Sequence, residues 1–223
     1  MSAIAGADDA YFESRLAHDE RRRILWQTLW SEIFHEYVSP NDTVVELGAG
    51  WCDFINAVKA DRRVAVDLWA GIEHSSEDDV ECHIGPAQDL SFLTSRSVNL
   101  VFASNLLEHL ERPLVEKLVR ETLRVLKPGG RLILVQPNYR LCSRRYFDDY
   151  THVSIWSDIG MSEFLTVMGM ELEVVQGRFL PFSLGSRLPV SKTLIKTYLK
   201  SPLKPRAGQM LIVARKPATA VFV

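Results

Sequence analysis

The chain has 223 residues, 47% of them hydrophobic and 24% charged, with 26 Lys and Arg against 28 Asp and Glu. This balance fits one globular domain of ordinary to large size and excludes a chain that is mainly disordered. No apolar run approaches the roughly 20 residues that span a bilayer, and a net charge of -2 argues against a dedicated nucleic-acid binder. Cys52, Cys82 and Cys142 lie far apart, without CxxC spacing, so neither a zinc site nor a disulfide framework is expected. The stretch from Met1 to Arg23 has no apolar signal core, and a cytoplasmic protein is expected.

In chain order, Phe12 to Val38 reads as a helix. Its apolar pairs, Leu25/Trp26, Leu29/Trp30, Ile33/Phe34 and Tyr37/Val38, form one buried stripe. Ser39-Pro40-Asn41-Asp42 breaks it. Thr43 to Leu47 is a buried strand ending at glycines, and Phe54 to Ala60 a short helix. Arg63 to Asp67, Glu81 to Ile84 and Val98 to Ala103 are further strands. Pro113 to Leu126 is a helix with Leu114, Leu118 and Val125 inward and Pro113 in its first turn. Lys127-Pro128-Gly129-Gly130 stops it, and Arg131 to Val135 is the next strand. Ser157 to Met168 is a helix capped by Ser157 and closed by Gly169. Glu171 to Val175 and Met210 to Ala214 are the last strands. Alternating strands and helices predict an α/β domain with a mostly parallel sheet.

The segment Val44-Val45-Glu46-Leu47-Gly48-Ala49-Gly50 carries most information. Ligands of open α/β sheets sit at the carboxyl ends of strands, beside such turns. Glycine is needed there because a Cβ would block close approach of a ligand to the backbone. A dinucleotide site would want a third glycine where Asp53 stands, and an acid beside a pyrophosphate is electrostatically wrong. The Glu46 carboxylate suits instead a ligand with an ammonium or sulfonium charge and no phosphate. Asp67, at the end of the second strand, can accept hydrogen bonds from ribose hydroxyls. Leu68 and Trp69 offer an apolar wall for an adenine ring.

These segments resemble the class I S-adenosylmethionine-dependent methyltransferases. The matching residues are Val44 to Gly50, Ala65-Val66-Asp67-Leu68, Asn99 to Leu110 and Arg124 to Leu132, in the family's order. The resemblance implies a Rossmann-like fold: a seven-stranded, mostly parallel sheet flanked by helices, with an antiparallel final strand. It makes residues 43–223 the methyltransferase domain, 1–42 an N-terminal helical cap and 177–208 a basic insertion before the last strand. Within the site it implies that Glu46 faces the methionine ammonium and that Gly48, Ala49 and Gly50 pass beneath S-adenosyl-L-methionine. Asp67 would bind the ribose with Leu68 beside it, Ala87 and Gln88 would contact the adenine, and Ser104 and Asn105 would lie near the methionine. The chain departs from the family pattern at Cys52, in place of a third glycine, at Pro86, where an aspartate often meets adenine, and at Asn99. Gln136-Pro137-Asn138-Tyr139 and the Asp149-Tyr150-Thr151-His152 run are similar to bacterial methyltransferases of polysaccharides and small molecules.

Methyl transfer from a sulfonium needs alignment above all. A hydroxyl acceptor gains further from a general base, most often His. Of six histidines, His109, just after the fourth strand, and His152, beyond the fifth, are the candidates. The alternatives are a structural contact for His109 and loop packing for His152. No His, Asp and Glu stand at metal-ligand spacing, so no metal is expected. The predicted function is therefore methyl transfer to a small-molecule or glycan acceptor, at a hydroxyl oxygen by the placement of the histidines, with nitrogen and carbon acceptors as alternatives and no nucleic-acid partner. The competing readings are an NAD(P)-dependent oxidoreductase and a non-catalytic partner on the same fold.

The segment Gly177 to Gly208 holds Arg178, Arg187, Lys192, Lys196, Lys200, Lys204 and Arg206 and no acid. Lys192, Lys196 and Lys200 share one helix face. That face either is solvated or makes weak, salt-sensitive contact with an anionic membrane or a lipid-linked acceptor. Arg21, Arg22 and Arg23 either hold an anionic acceptor or start a solvated helix.

Overall fold

The computed structural model describes residues 18–181 and 190–218. The expected first turns of the opening helix and Arg187 lie outside them. Along the chain the elements are α1 (Glu20–Glu32), β1 (Thr43–Leu47), α2 (Asp53–Ala57), β2 (Arg62–Asp67), α3 (Ile72–Ser75), β3 (Val80–Ile84) and β4 (Val98–Ser104). Then come α4 (Arg112–Val125), β5 (Leu126–Pro137), α5 (Tyr139–Cys142), α6 (Asp158–Val167), β6 (Glu171–Pro181), α7 (Lys192–Lys200) and β7 (Ala207–Arg215). The strands make a seven-stranded mixed sheet of order β3-β2-β1-β4-β5-β7-β6, with only β7 antiparallel to its neighbours β5 and β6. The predicted fold class is the one observed. Among the described residues, no helix is long and apolar enough to cross a membrane.

The chain forms two compact units. In the first, residues 18–87 and 190–203, β1 runs parallel to β2 and β2 to β3. Val44, Val45, Leu47, Val64, Ala65 and Val66 are fully buried, the pattern of parallel strands covered on both faces. Arg63 is buried among them. Its guanidinium donates to the Ile55 carbonyl at the end of α2 (3.2 Å) and to the carboxylates of Glu77 (3.0 Å) and Asp79. A buried charge is tolerable when paired in this way. The Phe54 ring on α2 meets Trp26 and Phe34 edge-on, each at 5.8 Å, which seats α1. The opening helix ends at Glu32 rather than Val38, because Phe34–Tyr37 tighten into a 3-10 turn. On α7, Ile195 is buried and Lys196 pairs with Glu32 at 2.8 Å. One of the three aligned lysines is thus bound within the unit.

The second unit, residues 88–181 and 204–218, pairs β4 with β5 in parallel and lays β7 between β5 and β6. The buried face of α4 is Val115, Leu118, Val119, Thr122 and Val125, with Leu114 at its margin. Helix and strand join without a loop. Leu126 leaves the helix with extended backbone (φ -62°, ψ 135°) and already pairs with Val98. Lys127 to Gly130 therefore open β5 rather than separate it from α4. Gly129 supplies the left-handed residue (φ 80°) at this start. Ser157 caps α6, its Oγ accepting from the Gly160 amide at 3.1 Å. Gly169 follows with φ 88° and completes the expected signature.

Candidate active site

In the first unit the site begins at the turn after β1. Gly48 (φ 68°), Gly50 (φ 49°) and Cys52 (φ 58°) all adopt left-handed backbone. Cys52 holds the place of the missing third glycine at a conformational cost of about 1–2 kcal/mol. The amides of Gly48 and Ala49 donate to the Val66 carbonyl on β2 (2.8 and 3.2 Å). The Gly50 amide donates to Asp67 Oδ2 at 2.8 Å, and the Trp69 amide to Oδ1 at 2.9 Å. Asp67 thus braces the turn. Its burial raises its pKa, against the amides of Trp69, Gly50 and Leu68, which lower it. Leu68 beside it is 42% exposed, as an apolar wall requires. Trp69 stacks edge-on against Trp51 at 4.8 Å. Ala87 is buried at the end of the unit's chain segment.

Glu46 is buried, and its Oε2 accepts from the Ile55 amide at 3.0 Å. Burial holds its carboxyl well above the usual range, against the Ile55 hydrogen bond, and Asp53 and Asp67 add to the rise. A cation brought to it would offset part of this penalty. The turn amides are committed to Val66 and Asp67, and the nearest side chains are acidic. The amides of Gly48, Ala49 and Gly50 therefore form no nest for a pyrophosphate, which counts against the dinucleotide reading. The same residues fit S-adenosylmethionine, which carries an ammonium, a sulfonium and a ribose but no phosphate.

In the second unit, Ser104 ends β4 and Asn105 follows it in left-handed backbone (φ 48°). Asn105 Oδ1 accepts from Gln209 Nε2 at 2.8 Å, and its Nδ2 donates to Ser104 Oγ at 3.1 Å. The buried Gln136 shapes this turn. Its Oε1 accepts from the amides of Leu106 (3.1 Å) and Leu107 (3.4 Å), and its Nε2 donates to the Ala103 carbonyl (3.2 Å). Gln88 lies partly buried near the start of this unit.

The two candidate histidines come together. The rings of His109 and His152 stand edge-on with centroids 4.8 Å apart. The cause is a set of hydrogen bonds within the segment 146–156 and from it to Leu107–Glu108. The amides of Val153 and Ser154 donate to the Glu108 carbonyl (2.9 and 3.1 Å). Ser154 Oγ donates to the Leu107 carbonyl (2.9 Å), and the Tyr146 hydroxyl donates to the Ser154 carbonyl (2.6 Å). Both histidines are largely buried, His109 with 14% of its side chain exposed. Burial, with His152 nearby, pushes the His109 pKa down to about 4, so its ring is neutral at pH 7.

The tautomer of that ring follows from its partners. Thr151 donates both its amide (3.0 Å) and its hydroxyl (2.6 Å) to Asp149 Oδ1. Burial opposes the charge on Asp149, but these bonds and the two histidines hold its pKa below the usual value, so it is an ionised acceptor. The single Thr151 hydroxyl proton is therefore spent. At 2.8 Å from Thr151 Oγ1, His109 Nδ1 must be the donor. The lone pair of His109 then sits on Nε2.

Glu108 completes the group. It is 1% exposed, and neither side-chain oxygen has a hydrogen-bond partner among the described residues. Burial pushes its pKa up to about 8. Glu108, His109 and His152 each present a ligand atom within 4.8 Å of the others. Sequence spacing could not reveal this set, because His152 arrives from a distant loop. Glu108, Asp149 and Thr151 were visible only as members of short runs, and Gln136 only as part of a resemblance. The arginines of α1 are engaged locally: Arg21 with Asp19 at 2.7 Å, Arg22 with Asp53 at 3.7 Å and Arg23 with Glu20 at 3.8 Å.

A family model described as a methyltransferase domain matches residues 45–134. No curated protein matches the chain. Among solved structures, a SAM-dependent methyltransferase from Archaeoglobus fulgidus is similar, with 17% identity and a TM-score of 0.69 over 94% of this chain and 100% of that one. An S-adenosylmethionine-dependent methyltransferase from Mesorhizobium loti shares 15% identity and a TM-score of 0.62 over 85% and 98%. The structure of a Haloferax volcanii complex with the methyltransferase activator Trm112 is similar at 18% identity and a TM-score of 0.68, over 96% and 100%. These likenesses concern the fold.

Proposed function

We propose that the chain, whose residues 45–134 match a methyltransferase-domain model, is an S-adenosylmethionine-dependent methyltransferase that transfers the methyl group to a hydroxyl oxygen of a small molecule or glycan. The observation that carries the choice of a hydroxyl is the Asp149–Thr151–His109 chain, which leaves a lone pair on His109 Nε2. Bound S-adenosylmethionine supplies an activated methyl on a sulfonium. The residues of this chain bind it and prepare the acceptor. Asp67 accepts from the ribose hydroxyls, Glu46 offsets the ammonium charge, and the backbone of Gly48, Ala49 and Gly50 lies open beneath the methionine. Leu68, Ala87 and Gln88 serve the adenine, and Ser104 and Asn105 the methionine end.

For the acceptor, His109 Nε2 is the proton acceptor, and the ionised Asp149 stabilises the imidazolium through Thr151. His152 packs against His109 and bounds the space beside it. Phe147, Tyr150 and Val153, all more than half exposed on the same segment, form an apolar rim that fits an acceptor with a non-polar face. Free cysteines at 52, 82 and 142 accord with a reducing, cytoplasmic setting.

The test is turnover of labelled S-adenosylmethionine against matched acceptors bearing hydroxyl, amine or activated carbon. Hydroxyl-selective transfer, lost in His109→Ala with cofactor binding kept, is the expected result. Amine-selective transfer would overturn the oxygen assignment.

A further inference from the structure

We propose that Glu108, His109 and His152 form a binding site for one divalent transition-metal cation. Three observations converge on it. The ligand atoms already lie within 4.8 Å of one another, and a small closure brings three such atoms around one ion. Glu108 is a buried carboxylate whose two oxygens have no hydrogen-bond partner among the described residues. Buried polar groups are nearly always satisfied, so such a pair needs a partner, and a cation is the partner that two histidines and a carboxylate suit.

The third observation is the support behind His109. Ligating histidines almost always donate their other ring N–H to an oxygen that fixes tautomer and orientation. His109 Nδ1 does so to Thr151 Oγ1 at 2.8 Å, with Asp149 behind it. The ring therefore presents Nε2, which lies 3.9 Å from Glu108 Oε1. The segment carrying His152 is fixed by the amides of Val153 and Ser154 on the Glu108 carbonyl, so the three ligands are held by one local network.

Two imidazoles and one carboxylate leave at least one position open. The open position takes the acceptor's hydroxyl oxygen; for that role alone the inference rests on the hydroxyl reading above. Coordination to a metal cation lowers the pKa of a bound hydroxyl, and its proton passes to solvent. The oxygen then forms the new O–C bond while the S–C bond of the sulfonium breaks, and S-adenosylhomocysteine leaves with the electron pair. In the metal-loaded protein His109 Nε2 is a ligand; in the metal-free protein it is the proton acceptor described above.

The experiment uses the full-length protein, freed of metal by a chelator and shown by calorimetry to bind S-adenosylmethionine. It is titrated with Co²⁺ alone, followed by visible absorption, and with Zn²⁺ alone, followed by calorimetry. One equivalent of uptake with a low-symmetry Co²⁺ spectrum is expected. Glu108→Gln and His152→Ala should abolish it. Thr151→Val, which leaves every ligand in place, should weaken affinity roughly 10- to 100-fold. Circular dichroism identifies any variant that fails to fold.

No uptake by parent protein that binds S-adenosylmethionine overturns the site. So does uptake that is unchanged in both Glu108→Gln and His152→Ala. Full-rate hydroxyl methylation by the chelated protein overturns the ion's role in the reaction, and leaves the proposed function standing. One-equivalent uptake without any hydroxyl turnover sustains the site and counts against the hydroxyl reading.

Discussion

Asp67 both braces the glycine turn and offers itself to a ligand, so its removal is felt twice. Asp67→Ala frees the Gly50 and Trp69 amides and removes a charged acceptor contributing about 1.5–3 kcal/mol. Affinity for S-adenosylmethionine is expected to fall roughly 10- to 150-fold by calorimetry; unchanged affinity in a folded variant removes Asp67 from the site. Glu46 gives a pH-dependent counterpart. Its folded pKa stands well above the ordinary 4.5 because it is buried. Between those two values the folded protein holds more protons than the unfolded chain, so stability falls as pH rises through them. Glu46→Gln keeps an oxygen for the Ile55 amide and removes the charge. In urea titrations at about pH 8 it should be more stable than the parent, and the difference should vanish below about pH 4. It should bind S-adenosylmethionine more weakly, since the charge proposed to face the ammonium is gone. The placement of these acids around the turn was legible in the sequence because β1, its turn and β2 lie within one short stretch, where spacing maps onto geometry. The Glu108, His109 and His152 group was not, since no periodicity records which distant loop will fold back onto a strand end.

At the scale of elements, the turn after β4 depends on a side chain from β5. Gln136→Leu is nearly isosteric but strands the Leu106 and Leu107 amides and the Ala103 carbonyl. The expected cost is roughly 2–4 kcal/mol in urea unfolding. Turnover should fall further than stability alone explains, since the same turn leads to His109. Ser157→Ala is the contrasting case. It removes one helix cap, for about 1 kcal/mol and a drop in Tm of about 2–4 °C, with turnover unchanged. Buried strands such as Val44–Leu47 and the capped ends of α6 were readable because local chemistry decides them. The junction at Leu126 was misjudged for the opposite reason. Lys127-Pro128-Gly129-Gly130 has turn chemistry, but pairing with Val98 and Lys216's exchange of backbone hydrogen bonds with Gly129 and Gly130 draw it into the sheet. Likewise α3, a single turn of four residues, is too short for a periodic signal.

At the scale of the whole molecule, a ligand that binds only the folded chain adds stability by mass action. At a hundredfold excess over Kd the gain is about 2.7 kcal/mol, which for a chain of this length raises Tm by roughly 5–11 °C. S-adenosylmethionine and S-adenosylhomocysteine are expected to do this in a thermal-shift measurement, and NADH is not. A rise with NADH alone would undo the case made from the committed turn amides. Stability of the finished protein is only part of its history. The strand β7 lies between β5 and β6 yet follows both in the chain. A ribosome adding about 5–20 residues per second therefore releases β5 and β6 before the strand that joins them exists. During those seconds β5 shows an open edge and β6 has no partner, and open edges recruit other chains. Translation that stalls before Ala207 leaves a nascent chain that chaperones must hold, and a premature stop there yields an aggregation-prone fragment rather than a weakened enzyme.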